Sequence, residues 1–110
     1  MEAAGTFTAV VATAELRAGF LTTHVVEERE LIVAAPSEGG FHVYDATCPH
    51  SDFQLVPGRL PRGCLVECPM HGARFDAVSG EVVKGPAKEP LDPIASRVVD
   101  GMLEVLVDWT

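Results

Sequence analysis

Apolar residues along this chain fall in short runs broken by Gly, Pro, Asp and Glu, and several runs are β-branched. That pattern predicts strands rather than helices. Strands are expected over Thr6–Val11, Phe20–Val26, Leu31–Ala35, Phe41–Ala46 and Cys64–Glu67. Thr13–Leu16 fits a single helical turn, with Thr13 as its cap and Gly19 ending it. Glu27–Glu30 reads as a solvated hairpin tip and Pro36–Gly40 as a loop. Arg74–Asp76 and Glu81–Val83 flank Val78–Ser79–Gly80, a hairpin by spacing. Ala95–Val99 and Met102–Trp109 flank Asp100–Gly101, the strongest turn signal in the chain. The predicted class is all-β, a sandwich or barrel forming one domain over residues 1–110.

Two stretches interrupt this pattern with chemistry. Cys48-Pro49-His50 and Cys68-Pro69-Met70-His71 each hold one Cys and one His, with seventeen residues between His50 and Cys68. Thiolate and neutral imidazole are ligands for iron and zinc. Mononuclear zinc fingers typically draw a Cys pair from one segment and a His pair from another. Here each loop is mixed, which suits a two-metal cluster with the Cys pair on one iron and the His pair on the other.

C-x-H, seventeen residues, then C-x-x-H resembles the Rieske [2Fe–2S] family. The resemblance continues through Gly72, Phe75-Asp76, Ser79-Gly80, Gly85-Pro86-Ala87 and Pro90-Leu91. These features look like the ferredoxins that feed bacterial aromatic ring-hydroxylating dioxygenases. The resemblance implies a base domain of antiparallel sheets and a cluster-binding subdomain over about residues 47–85. It implies one Rieske [2Fe–2S] cluster on Cys48, His50, Cys68 and His71, no catalytic residues, and a proline-rich lid at 85–90. Its expected partners are a flavin-containing ferredoxin reductase and a terminal oxygenase. The chain is then an electron carrier, not an enzyme.

The resemblance also bears on redox tuning. Respiratory Rieske proteins carry a disulfide between the ligand loops, and the matching positions here are Phe53 and Met70. They also place Ser and Tyr donors near the sulfurs, where this chain has Ala73 and Phe75. Fewer donors imply a lower potential. Ser51–Gln54 departs from the small residues that commonly follow the first His of these ferredoxins.

Charge narrows the partners. Eight basic and sixteen acidic residues give a formal net charge of −8, which argues against nucleic acid and anionic membrane. Residues 53–90 hold five basic and four acidic side chains, so the acidity lies elsewhere. No apolar run reaches the roughly 20 residues of a membrane helix, and residues 1–12 lack signal-peptide features. A cytoplasmic monomer is expected.

Cys64 reads as a buried strand cysteine, and His24 and His42 as strand histidines rather than a second metal site. Tyr44 and Trp109 read as packing aromatics rather than docking ones. Two alternatives stand beside the free carrier. One is a Rieske small subunit fixed in a larger reductase, such as assimilatory nitrite reductase. The other is a structural zinc module acting in protein interaction. A catalytic oxygenase is not expected, because no His follows His71 to build a second iron site.

Overall fold

The computed structural model describes residues 5–48, 54–69, 72–85 and 89–109. Its strands are β1 (Thr6–Ala12), β2 (Phe20–Val26), β3 (Arg29–Ala35), β4 (His42–Asp45), β5 (Gly58–Arg59), β6 (Leu65–Glu67), β7 (Arg74–Asp76), β8 (Val82–Lys84), β9 (Pro93–Ile94), β10 (Ser96–Val99) and β11 (Met102–Val107). They form sheets β1-β11-β10, β5-β2-β3-β4-β9 and β6-β7-β8, and the strand pairs are antiparallel. The all-β class follows. The predicted strands appear with ends shifted by a few residues. The two-residue strands β5 and β9 are too short to leave a periodic signal.

The five-stranded sheet is covered on both faces. Successive side chains of a strand point to opposite faces. Leu31 and Val33 of β3, with Val43 of β4, pack against Leu103, Val105 and Val107 of β11. Ile32 and Ala34 of β3, with Tyr44 of β4, pack on the other side with Cys48, Cys68, Phe75 and Leu91. Leu31 and Ile32 are both fully buried, each contributing about 1.5–3 kcal/mol. β11 alternates buried and half-buried residues along its length, as expected of a strand with one face on a core.

Two tight turns set the hairpins. Asp100 and Gly101 both have positive φ, at 51° and 78°, as a type I′ turn requires. Glu27 and Glu28 do the same between β2 and β3, at φ 48° and 68°. No Gly or Asn announces that turn, and β3 therefore starts at Arg29, two residues before the predicted strand.

The charge run at this turn is not simply a solvated tip. Arg29 donates from Nε to Asp45 at 2.8 Å and pairs with Asp92 at 3.2 Å. Its guanidinium lies 4.7 Å from the Trp109 ring centroid. The Trp109 indole N–H in turn donates to the Glu27 carbonyl at 3.3 Å. Trp109 is thus a packing residue that locks the C-terminal segment to the turn.

The cap prediction fails as well. The turn is a 3-10 helix over Thr13–Glu15 with Ala12 at the N-cap and no side-chain cap. Thr13 instead donates its hydroxyl to the Gly101 carbonyl at 3.1 Å.

Burial raises the Asp45 pKa, but hydrogen bonds from the Thr47 N–H and the Arg29 guanidinium outweigh it and leave the carboxyl below its usual value. A depressed folded-state pKa stabilises the protein above the unfolded value, about 4, and that stability fades as pH falls through the folded value. Denaturant melts of Asp45→Asn should therefore show a shallower loss of stability below about pH 4 than the parent. Parallel curves would mean that Asp45 carries no acid-linked stability.

Candidate metal centre

Cys48 and Cys68 each sit where a loop leaves a hydrogen-bonded stem. After β4, the Thr47 N–H bonds Asp45 Oδ1 at 2.7 Å. Thr47 then forms an antiparallel bridge with Gln54, and the Leu55 N–H bonds the Ala46 carbonyl at 2.6 Å. These contacts close the base of the loop that starts at Cys48. The second stem is the β6–β7 hairpin, where Glu67 and Arg74 face each other and pair at 3.0 Å. Beyond it the Cys68 N–H bonds the Ala73 carbonyl at 2.8 Å, and the Gly72 N–H bonds the Cys68 carbonyl at 3.1 Å.

Both cysteines are buried, at 1% and 0% exposure, and belong to one core cluster. His50 and His71 lie outside the described residues, as do Phe53, Met70 and residues 86–88 of the expected lid. Two buried sulfur donors on facing loop stems, amid Ala73, Phe75, Ala77 and Leu55, suit thiolate binding of iron. Ala73 and Phe75 are fully buried and offer no side-chain donor. The amides of Cys68 and Gly72 are already committed to carbonyls.

The third sheet is held by its own turn. Asp76 Oδ1 accepts from the N–H groups of Val78 and Ser79 at 2.8 and 3.1 Å. The Gly80 N–H bonds the Asp76 carbonyl at 2.7 Å. Gly80 has φ +79°, and a Cβ there would stand 2.9 Å from Tyr44 Cε1. Only glycine suits both the turn and the close approach of the ring.

Tyr44 is the link that sequence reasoning did not find. From β4 its hydroxyl donates to the Ala77 carbonyl at 3.0 Å within the core. The central sheet is thereby bonded to the hairpin that carries Cys68. A Tyr in a strand gives no sign of a partner 33 positions away.

The remaining candidates fall into place. His24 and His42 lie on β2 and β4 with β3 between them, opposite Leu31 and Ala34 respectively. His24 Nε2 is 2.8 Å from Thr22 Oγ1. Burial lowers its pKa, with Glu15 pulling the other way. Cys64 corrects its prediction. It follows the Pro61–Gly63 turn, just before β6, and is only half-buried. Its carbonyl is engaged by the Ala77 N–H at 2.9 Å.

The chain matches the model of the Rieske [2Fe–2S] domain over residues 6–98. It is 32% identical to the ferredoxin component of the alkene monooxygenase system of Xanthobacter autotrophicus, over 84% of this chain and 74% of that one. Its fold is similar to a chain in the complex of reduced oxygenase and oxidized ferredoxin in carbazole 1,9a-dioxygenase. The TM-score is 0.79 at 27% identity, covering 91% and 92% of the two chains. A Sphingomonas yanoikuyae B1 ferredoxin gives the same TM-score at 25% identity, covering 96% of this chain and all of that one.

Burial, and then the nearby Asp76 charge, push the Tyr44 hydroxyl up to about 12. A raised folded-state pKa leaves its stabilisation intact below about 10, to be lost as pH rises through the folded value. Tyr44 is the single tyrosine of the chain, so phenolate absorbance reports it alone. Titration should show no transition near pH 10 while the protein stays folded. Tyr44→Phe should cost about 1–3 kcal/mol, because the Ala77 carbonyl loses its buried donor. A normal titration at pH 10 would contradict this placement.

Proposed function

The chain belongs to the Rieske [2Fe–2S] domain family, and from that premise we propose that it is a free electron carrier. In this reading it takes single electrons from a flavin-containing NAD(P)H-dependent reductase and delivers them to a terminal ring-hydroxylating oxygenase. It works as a monomer in the cytoplasm and catalyses no reaction of its own. The observation that carries this reading is the near end-to-end similarity to a chain in an oxygenase–ferredoxin complex. The ferredoxin component of an alkene monooxygenase system supports it. Among the described residues, no helix is long and apolar enough to cross a membrane.

We assign Cys48 and Cys68 to one iron of the cluster, and His50 and His71 to the other. When bound, the cluster takes up and releases one electron, at a potential raised by its neutral imidazoles. The protein's part is to hold the donors and limit the hydrogen bonds that reach the sulfurs. Burial of the cysteines amid apolar side chains supports that division of labour. With Ala73 and Phe75 giving no donor, charge added at the sulfurs is weakly stabilised. The cluster-binding part, over about residues 47–85, would be the third sheet together with the two ligand loops.

Iron and acid-labile sulfide should each be found at two per chain, and His50→Ala or His71→Ala should lose or wreck the chromophore. One zinc without sulfide would refute the assignment. The reduction potential should lie near the low end of the Rieske range, about −150 mV. Phe75→Tyr should raise it by roughly 40 mV, the equivalent of one net hydrogen bond of about 1 kcal/mol in a one-electron couple. No shift, with the hydroxyl within bonding distance of a sulfur, would contradict the tuning argument.

Omitting the protein from a mixture of its reductase and oxygenase should stop substrate oxidation, and adding it should restore the reaction. Full activity without it would count against the carrier role. Co-purification in a stable complex with one large reductase would instead favour the fixed-subunit alternative.

A further inference from the structure

Three arginines of this acidic chain, Arg17, Arg59 and Arg62, lie close to one another at the surface. Arg29, Arg74 and Arg97 are each paired with carboxylates. Arg17, Arg59 and Arg62 are exposed, and the described residues give them no carboxylate partner. They are nonetheless gathered together. The guanidinium carbons of Arg17 and Arg59 lie 4.6 and 5.2 Å from the centroid of the same ring, Phe20. Arg59 and Arg62 line one open cavity of about 300 Å³ with Phe20 and Ser37. Strand pairing fixes part of this, since Arg59 of β5 faces Phe20 of β2.

The same Arg59 also lines a neighbouring groove of about 160 Å³. Its walls include Val56, Pro57, Pro61, Leu65 and Pro69. Val56 is 57% exposed, and Pro69 directly follows the buried Cys68. Glu67, the acidic residue of this groove, is taken up by Arg74 at 3.0 Å. An apolar strip thus runs from the second ligand loop to a cationic rim. Holding like charges together on one aromatic ring favours a partner that supplies the counter-charge.

We propose that this groove and its arginine rim form a docking surface for an acidic redox protein whose electron-exchanging edge is ringed by carboxylates. The inference rests on the carrier reading and adds the chemistry of the partner. The apolar strip supplies the dry centre of the contact next to the ligand loop, and the arginines supply its charged rim. Because the rim is solvent-exposed, its contribution is screened by salt. The net charge of −8 makes the signature distinctive. Two acidic proteins should attract each other only through this patch.

The test uses the holoprotein and cytochrome b5, a small haem protein with a carboxylate-ringed haem edge. Biolayer interferometry on immobilised cytochrome b5 should show saturable binding at about 0.02 M salt that is lost near 0.5 M. Arg59→Gln/Arg62→Gln should weaken it about tenfold or more. Val25→Glu/Val98→Glu alters net charge by the same two units at exposed valines outside the groove, and should weaken it less than threefold. Absence of saturable binding, or an equal effect of the two double variants, would overturn the proposal. Failure of the carrier reading looks different. Holoprotein added to its reductase and oxygenase would then fail to restore substrate oxidation, and that result would remove this proposal with it.

Discussion

The central sheet must bury both of its faces, and everything else in the molecule is arranged around that requirement. β3 carries five consecutive buried residues, Leu31 to Ala35, which a sheet with one wet face could not hold. One face is covered by β11. The other is covered by the loops and hairpins that carry Cys48 and Cys68. The side that carries Cys48 and Cys68 is therefore the second cover of the main sheet rather than an appendage. Folding the core and bringing the two cysteines into one apolar cluster are the same event.

Tyr44 makes that coupling directional. Its ring packs over Gly80 and its hydroxyl bonds the Ala77 carbonyl. The hairpin is thereby fixed to β4, the strand that leads directly into Cys48. A carrier benefits from such a link, because small displacements between the ligand loops would alter the surroundings of the cluster in each redox state.

Much of this was legible in the residues. Alternation marked β11, and Asp100-Gly101 marked its hairpin, because both signals are local. The Cys and His pairs pointed to a candidate metal site; of these, Cys48 and Cys68 share one apolar cluster, while His50 and His71 lie outside the described residues. What escaped was non-local or lacked a composition signal. The Glu27–Glu28 turn adopts positive φ without glycine. Arg29 sits in a charge run but reaches Asp45 of β4 and Asp92, which immediately precedes β9. Cys64 heads an apolar run, which predicts burial, yet after the turn at Pro61–Gly63 it is only half-buried. Tyr44 and the arginine cluster on Phe20 depend on strand register, which single positions do not encode.

The proposed cluster has a mixed ligand set, with sulfur on one iron and histidine nitrogen on the other. Electron–nuclear double resonance on the reduced protein, grown with ¹⁵N-histidine, addresses this directly. The expected result is coupling to nitrogens of two histidines, unchanged in His24→Ala and His42→Ala, while His50→Ala and His71→Ala lose the cluster signal itself. A reduced cluster with no histidine nitrogen coupling, or one whose couplings disappear with His24 or His42, would contradict it.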